Sequence, residues 1–336
     1  MSSGKTERDL KGGKVLVTGA AGFVGSHLTE LLVSVGAKVR AFVRYNSRNS
    51  IGNLAFLPPH LLNKVEILPG DLKDFETVLD ACKGVDTVFH LGALIGIPYS
   101  YKAVRSYIDV NVVGTLNVLE AARRLGLRRV VTTSTSETYG TAQRIPMDES
   151  HPLVAQSPYA ASKIGSDKLA ESFHKSFKLP VAVIRPFNVY GPRQSPRAVI
   201  PTIVCQALEK SALSLGATDI VRDYTFVTDT ARAIARAAVC DDCVGRTFNF
   251  GSGKGIKISE IVKIVGRILG KRLTVRRQKE RLRPKNSEVR ALVCDSALGY
   301  ELLGYKPGVD FRKGLEQTIR FFRKNLRYYE AEQYVI

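Results

Sequence analysis

VTGAAGFVGSHL (Val17 to Leu28) sets Gly19, Gly22 and Gly25 between a β-branched run, KVLVT (Lys14 to Thr18), and an amphipathic helical pattern. Gly19 permits a tight turn, Gly22 admits the close approach of a pyrophosphate, and Gly25 lets helix and strand pack closely. The helix N-terminus that opens there offers free N–H groups and a positive dipole end. A glycine triplet alone is a weak signal. This one follows a strand, opens a helix and heads a strand–helix series, a context that identifies a dinucleotide site.

Outward from this loop the alternation continues. VRAFV (Val39 to Val43), VEILP (Val65 to Pro69), TVFHL (Thr87 to Leu91), RVVTTS (Arg129 to Ser134) and VAVIR (Val181 to Arg185) read as buried strands. Between them, FVGSHLTELLVSVG and VNVVGTLNVLEAARRLG carry apolar residues at three- and four-residue intervals, the helical period. Such alternation predicts an α/β chain with a Rossmann-type, doubly wound parallel sheet. Beyond about residue 190 the pattern loosens into shorter elements rich in Pro, Gly and Arg. The expected division is a dinucleotide-binding domain over 1–190 and a smaller C-terminal substrate-binding domain over 191–336, with some later segments returning to the first.

The end of the second strand addresses the cofactor. An acidic residue there holds the adenosine ribose of NAD as a diol, whereas FVRYNSRNS offers Arg44 and Arg48 and no carboxylate. The arginines either clamp a 2′-phosphate, as NADP requires, or face solvent. Asp71, after the third strand, is placed to meet the adenine edge or to cap a helix.

Composition bounds the rest. The chain has 336 residues, 44% hydrophobic and 24% charged, within the range of ordinary soluble globular proteins. Its polar start, MSSGKTERDLKGGK, lacks the apolar core of a secretory signal, and no apolar run is long enough to span a bilayer. Five scattered cysteines do not make a disulfide framework, so a reduced, cytoplasmic setting is expected. Cys240 and Cys243 form a lone C-x-x-C, read as incidental thiols near a helix end, and the five histidines show no ligand spacing, so no metal is expected. His90, at a strand end, reads as structural. The net charge of +19 suits either a nucleic-acid binder or an enzyme of diphosphate ligands. Its densest block, KRLTVRRQKERLRPK (Lys271 to Lys285), has neither zinc-finger spacing nor an aromatic RNP-like strand beside it, so a solvated basic surface is favoured over nucleic acid.

SPYAASKIGSDKLAESF (Ser157 to Phe173) opens with a Ser-Pro entry signal and runs as a helix. Tyr159 and Lys163, four positions apart, share one face. An ammonium beside a phenol favours the phenolate and draws its pKa down from about 10. The product is a base able to take a proton from a carbinol as its carbon gives up hydride.

These motifs, with HLGA (His90 to Ala93), DVNVVGT (Asp109 to Thr115), STSETYG (Ser134 to Gly140), RPFNVYGP (Arg185 to Pro192), RDYTFVTD (Arg222 to Asp229) and RLRP (Arg281 to Pro284), resemble an extended short-chain dehydrogenase/reductase from about Lys14 to Phe322. The resemblance implies a nucleotide-sugar enzyme that keeps NAD or NADP bound and dimerises with itself through a four-helix bundle. It implies a cofactor set of Gly19, Gly22, Phe23, Val24, Gly25, Arg44, Asp71, Leu72, Leu91, Ala93, Tyr159 and Lys163.

Thr135-Ser136-Glu137 is similar to the triplet of GDP-mannose-type 4,6-dehydratases. LGALIGIPYSY and RPFNVYGPRQSPRAVIPTI look closest to the N-acetylglucosamine-nucleotide 4,6-dehydratases of legionaminic acid biosynthesis, which favour NAD. The implied chemistry is oxidation at C4, loss of water across C5–C6 and return of the hydride to C6. In it Tyr159 takes the O4 proton, Thr135 hydrogen-bonds O4, and Glu137 removes the C5 proton. Ser136 is too weak an acid to protonate the leaving hydroxyl readily, leaving that step to protonated Glu137. Arg222, Arg283 and Asn188 occupy diphosphate-binding motif positions, with Arg193 a further candidate. Two relatives of the same fold remain as alternatives, a 4-epimerase, which needs no base at C5, and a UDP-glucuronate decarboxylase, which shares Thr-Ser-Glu. A catalytically silent regulator or RNA binder has only the basic charge in its favour, and the intact Tyr159 and Lys163 count against it.

Overall fold

The computed structural model describes residues 9–329. The six expected β-branched runs form the first six strands, each end within one residue of the sequence reading: β1 (Lys14–Thr18), β2 (Lys38–Arg44), β3 (Val65–Gly70), β4 (Thr87–His90), β5 (Arg129–Thr133) and β6 (Val181–Pro186). A strand the sequence reading did not single out, β10 (Thr247–Phe250), completes a seven-stranded sheet in the order β10-β6-β5-β4-β1-β2-β3. Every pairing in it is parallel. The order reverses at β1, whose neighbours are β2 and β4. A crevice therefore opens outside their carboxyl ends, where doubly wound sheets bind ligands.

Helices cover both faces. On one, α1 (Phe23–Ser34) and a later helix over Val227–Ala237 enclose a core that includes Val17, Leu28, Leu32, Phe89 and Phe248. On the other, α2 (Phe75–Cys82), α3 (Gly114–Arg124) and α4 (Pro158–Phe177) pack over Leu16, Val88, Leu119, Val130 and Phe173. Strands buried on both faces read as continuous apolar runs, which made β1, β2 and β4 to β6 legible; β3, expected to be buried, lies at the sheet edge with only Gly70 buried.

The looser second half builds a separate core. It gathers α5 (Val199–Glu209), α7 (Ile258–Leu269) and α9 (Phe311–Asn325), while α6 (Val227–Ala237) and α8 (Ala297–Leu303) lie against the large sheet. Two small sheets accompany them. β7 (Asn188–Tyr190), β11 (Gly255–Lys257) and β13 (Ala291–Leu292) pair with β9 (Val221–Phe226), while β8 (Ala212–Leu215) pairs with β12 (Thr274–Arg277). All four residues of β12, the centre of the basic block, are exposed. Among the described residues no helix is long and apolar enough to cross a membrane, and no cluster of His, Cys, Asp or Glu is arranged to hold a metal ion.

Candidate active site

The glycine loop lies at the reversal point, and its geometry leaves no room for side chains. Gly19 has φ +69°, and a Cβ on it would sit 2.7 Å from the Gly92 nitrogen. A Cβ on Gly25 would lie 2.1 Å from the Gly19 carbonyl oxygen. Gly22 caps α1, and no side chain claims the N–H groups of the first turn, at Phe23 and Val24. Thr18 ties the neighbouring strand ends: its hydroxyl shares a 2.8 Å hydrogen bond with His90 Nδ1 and accepts the Gly92 N–H at 3.1 Å. This is a cradle of backbone donors that suits a pyrophosphate. Leu72 closes it from the side, since a Cβ on Gly92 would fall 2.6 Å from Leu72 Cδ1, and Leu91 and Ala93 flank that glycine. Asp71 follows β3 as expected but caps nothing. Its carboxylate accepts the Lys73 N–H and pairs with the Lys73 ammonium at 3.4 Å, while Asp74 caps α2.

His90 is buried, and burial, with Lys163 adding to it, lowers its pKa to about 3. The unfolded chain protonates this histidine below about pH 6.5 and the folded chain does not, so stability is lost as pH falls through that value. Between pH 6.5 and pH 5 the loss is about 2 kcal/mol. Urea midpoints measured from pH 7 to 5 should fall, and a His90→Asn variant should show a flatter dependence.

α4 begins as the sequence predicts, with the Ser157 hydroxyl accepting the Ala160 N–H at 3.1 Å and Pro158 in the first turn. Tyr159 and Lys163 both point inward and are buried. Here the structure corrects the sequence reading. The Lys163 ammonium donates to the Thr133 carbonyl at 2.7 Å, and burial raises the Tyr159 pKa above its ordinary value. A hydrogen bond with Thr135 opposes that rise, whereas the Glu137 charge adds to it. Helical spacing put the two side chains on one face; it did not specify that a buried ammonium would be satisfied by the carbonyl at the end of β5. The Lys163 pKa is itself lowered by burial, against the pull of Asp167.

Glu137 sits on a 3₁₀ turn, Ser136–Tyr139, whose orientation is fixed at both ends. The Thr135 hydroxyl accepts the Glu137 N–H at 3.3 Å, and the buried Tyr139 hydroxyl donates to Asn249 at 2.7 Å. The carboxylate faces inward, with its side chain 13% exposed, 3.4 Å from Arg283 Nη1. Its charge also acts on Tyr159 and on Arg222. Arg222 is buried on β9, with Nη1 donating to the Val221 carbonyl and Nη2 3.8 Å from Glu288. Arg222 and Tyr224 alternate onto one face of β9, and Asn188 is the register partner of Tyr224. Arg222 Nη2, Tyr224 OH and Asn188 Oδ1 are all buried without a hydrogen-bond partner. Of these, Arg222 Nη2 and Tyr224 OH can donate to a ligand, whereas Asn188 Oδ1 can only accept.

Arg193 does not join this group. Its Nη2 pairs with Glu30 on α1 at 2.6 Å, its carbonyl accepts from Asn53, and its backbone lies in the left-handed region at φ +68°. A buried guanidinium takes the nearest carboxylate, and Glu30, 163 positions away, reaches it.

Sequence reasoning missed the supports behind these residues. Asn111, quoted above only within DVNVVGT, accepts from Leu94 N and donates to Leu94 O and Ser162 Oγ, all within 2.9 Å, joining α4 to the segment after β4. Tyr107 sets its ring edge-on to Tyr159, centroids 6.2 Å apart. Asp167, one turn beyond Lys163, pairs with Arg185 at 2.7 Å and accepts Ser134 Oγ at 2.6 Å. The four-residue spacing from Lys163 to Asp167 was the available signal. Cys240 and Cys243 are free and buried, as incidental thiols would be.

The family model for GDP-mannose 4,6 dehydratase matches residues 16–318. A dTDP-glucose 4,6-dehydratase from Actinoplanes sp. is 32% identical over 321 residues, covering 93% of this chain and 98% of that protein. A UDP-glucose 4-epimerase from Mycolicibacterium smegmatis is 32% identical over 325 residues, covering 92% and 98%. The solved structure of DesIV, a dTDP-glucose 4,6-dehydratase from Streptomyces venezuelae with NAD bound, has a TM-score of 0.85 at 31% identity, covering 95% of this chain and 100% of that one. Fold and sequence thus define an extended short-chain dehydrogenase/reductase. Within that class the chain belongs to the GDP-mannose 4,6 dehydratase family, whose members are nucleotide-sugar 4,6-dehydratases and 4-epimerases.

Proposed function

We propose that this chain is a 4,6-dehydratase of a nucleoside diphosphate hexose, with GDP- or UDP-linked N-acetylglucosamine the leading candidate, acting with a nicotinamide dinucleotide on the glycine loop. The observation that carries this reading is the inward carboxylate of Glu137, whose charge acts on Tyr159 and which lies 3.4 Å from Arg283 Nη1. An epimerase has no use for a base at C5.

The bound dinucleotide supplies a reversible two-electron acceptor, oxidising C4 and later reducing C6. Gly19, Gly22 and Gly25, with the N–H groups of Phe23 and Val24, hold its pyrophosphate, and Leu72, Leu91 and Ala93 line its path. Tyr159 takes the O4 proton. The Thr135 hydroxyl, bonded to that phenol, stabilises the phenolate and orients O4. Lys163, one turn along α4, is held by the Thr133 carbonyl, so the Thr135 hydrogen bond is the contact that favours the phenolate. Once C4 is a carbonyl the C5 proton is acidic, and Glu137 removes it. Protonated Glu137 then delivers the proton to the C6 hydroxyl, which leaves as water, since the Ser136 hydroxyl is too weak an acid. Arg222 donates to the diphosphate from its unpartnered Nη2, Asn188 offers the amide NH2 rather than its oxygen, and Arg283 divides its charge between that anion and Glu137. The same reading assigns 1–190 chiefly to the dinucleotide and 191–336 chiefly to the substrate, in a cytoplasmic homodimer.

One observation favours a second reading. Arg283, already beside a carboxylate, would equally pair with the carboxylate of a hexuronate, the substrate of a decarboxylase. Incubation with a panel of GDP- and UDP-hexoses and hexuronates, followed by mass analysis, separates the readings. Loss of water is expected. Loss of carbon dioxide supports decarboxylation, and unchanged mass with altered stereochemistry supports epimerisation.

A further inference from the structure

The amino ends of β1, β2 and β3, at the opposite end of the sheet from the glycine loop, carry a row of like charges. Lys14 is the register partner of Lys38. Lys64, just before β3, precedes the Val39–Val65 pair and so stands level with Lys38. Neighbouring strands lie about 4.8 Å apart, which sets three lysines abreast along about 10 Å of the sheet rim. Like charges directly opposite one another destabilise a sheet. Nothing in the fold relieves these three. Asp86 accepts the backbone N–H of Lys14 at 2.8 Å, Glu66 pairs with Arg40 at 3.0 Å, and Asp80 pairs with Lys83. Among the described residues, Lys14, Lys38 and Lys64 have no carboxylate partner.

Helix C-termini converge at this end of the sheet and would themselves draw cations, but they are already served. Arg40 Nη1 donates to the Ala81 and Lys83 carbonyls at the end of α2, at 2.8 and 2.9 Å. The last carbonyls of α1, at Leu31 and Val33, accept the backbone N–H groups of Val35 and Gly36. The three lysines instead rim a cavity of about 570 Å³. That volume falls within the roughly 300–1,000 Å³ of small-molecule sites. The charged lining is Lys14, Lys38, Arg40, Lys64 and Lys83 against a single acid, Glu66, and the buried Val39 and Val85 supply an apolar wall.

We propose that this cavity is a second ligand site, for a small polyphosphate whose charges bridge Lys14, Lys38 and Lys64. A lone phosphate meets one or two of the row. A chain of phosphates sets anionic oxygens along all of it, and ammonium groups on flexible stems follow such a chain as point charges. The shared chemistry is a triphosphate, either free or borne on a nucleoside whose base would lie against the apolar wall. The proposal is independent of the sugar transformed and of the dinucleotide held at the other end of the sheet.

The test is acetylation footprinting of the full-length protein, with each lysine read by peptide mass, in sodium tripolyphosphate, ATP or inorganic phosphate. The readout is local, so binding of either polyphosphate at the active site does not enter it. Tripolyphosphate should slow acetylation of Lys14, Lys38 and Lys64 by at least about threefold, an effect that shrinks as salt is raised. The exposed Lys263 and Lys313 should react unchanged. In Lys38→Ala, protection of Lys14 and Lys64 should need roughly threefold to tenfold more tripolyphosphate. Lys38 is exposed and faces like charges, so this variant's urea midpoint should not fall. Stronger protection by ATP than by tripolyphosphate assigns a nucleoside-borne chain, and equal protection a free one. Equal protection by inorganic phosphate, uniform protection of all lysines, or a lowered midpoint in Lys38→Ala overturns the proposal.

Discussion

Replacing Glu137 with Gln will lower the rate of water elimination by about 10²- to 10⁴-fold, the contribution of a positioned general acid–base group. Gln preserves the shape of the side chain and still accepts a hydrogen bond from Arg283, so the 3₁₀ turn should hold. That turn depends on the Thr135 cap and the buried Tyr139 rather than on the carboxylate. In the proposed mechanism, what disappears is the proton acceptor at C5. The measurement is twofold: product formation by mass, and exchange of the C5 hydrogen with deuterated water. Both should fall together in Glu137→Gln while dinucleotide affinity is unchanged. Retention of activity within about tenfold would show that another group performs the elimination.

The largest effect on stability is expected at Asp167. Its side chain and that of Arg185 are 7% and 4% exposed, and they pair at 2.7 Å. Arg185 also donates to the Tyr139 hydroxyl at 2.8 Å and lies over that ring at 4.8 Å. The pair thus fastens α4, which carries Tyr159, to β6 and to the turn that carries Glu137. Asp167→Ala leaves a buried guanidinium with its charge uncompensated, a change that costs about 3–5 kcal/mol. The urea midpoint should drop accordingly. Replacing both partners together, as Asp167→Leu with Arg185→Met, should cost less than the single change, because no unpaired charge remains. A single variant destabilised by under about 1 kcal/mol would mean that the pair does not join these elements.

Local pattern carried the sheet. Strands buried on both faces are apolar throughout, and Gly19, Gly22 and Gly25 announce where the first crossover begins. It also carried Tyr159, because a fixed helical period places it relative to Lys163. What escaped is pairing between distant parts of the chain. Glu137 meets Arg283 across 146 positions, Arg193 meets Glu30 across 163, and Arg185 meets Asp167 from strand to helix. No periodicity encodes such partners, since each is set by whichever opposite charge the folded topology brings within reach. Hence neither the Glu30 partner of Arg193 nor the Thr133 acceptor of Lys163 carries a sequence signal. β10 escaped for a different reason: four residues with two polar positions, TFNF, are too short to show a period.

The central claim is that a hydrogen leaves C4 and returns to C6 of the same sugar while Glu137 handles the proton at C5. Conversion of a nucleoside diphosphate hexose deuterated at C4, with the label located in the product by mass and nuclear magnetic resonance, tests it directly. Deuterium at C6 of a dehydrated product is the expected result; deuterium still at C4 in a product of unchanged mass would contradict it.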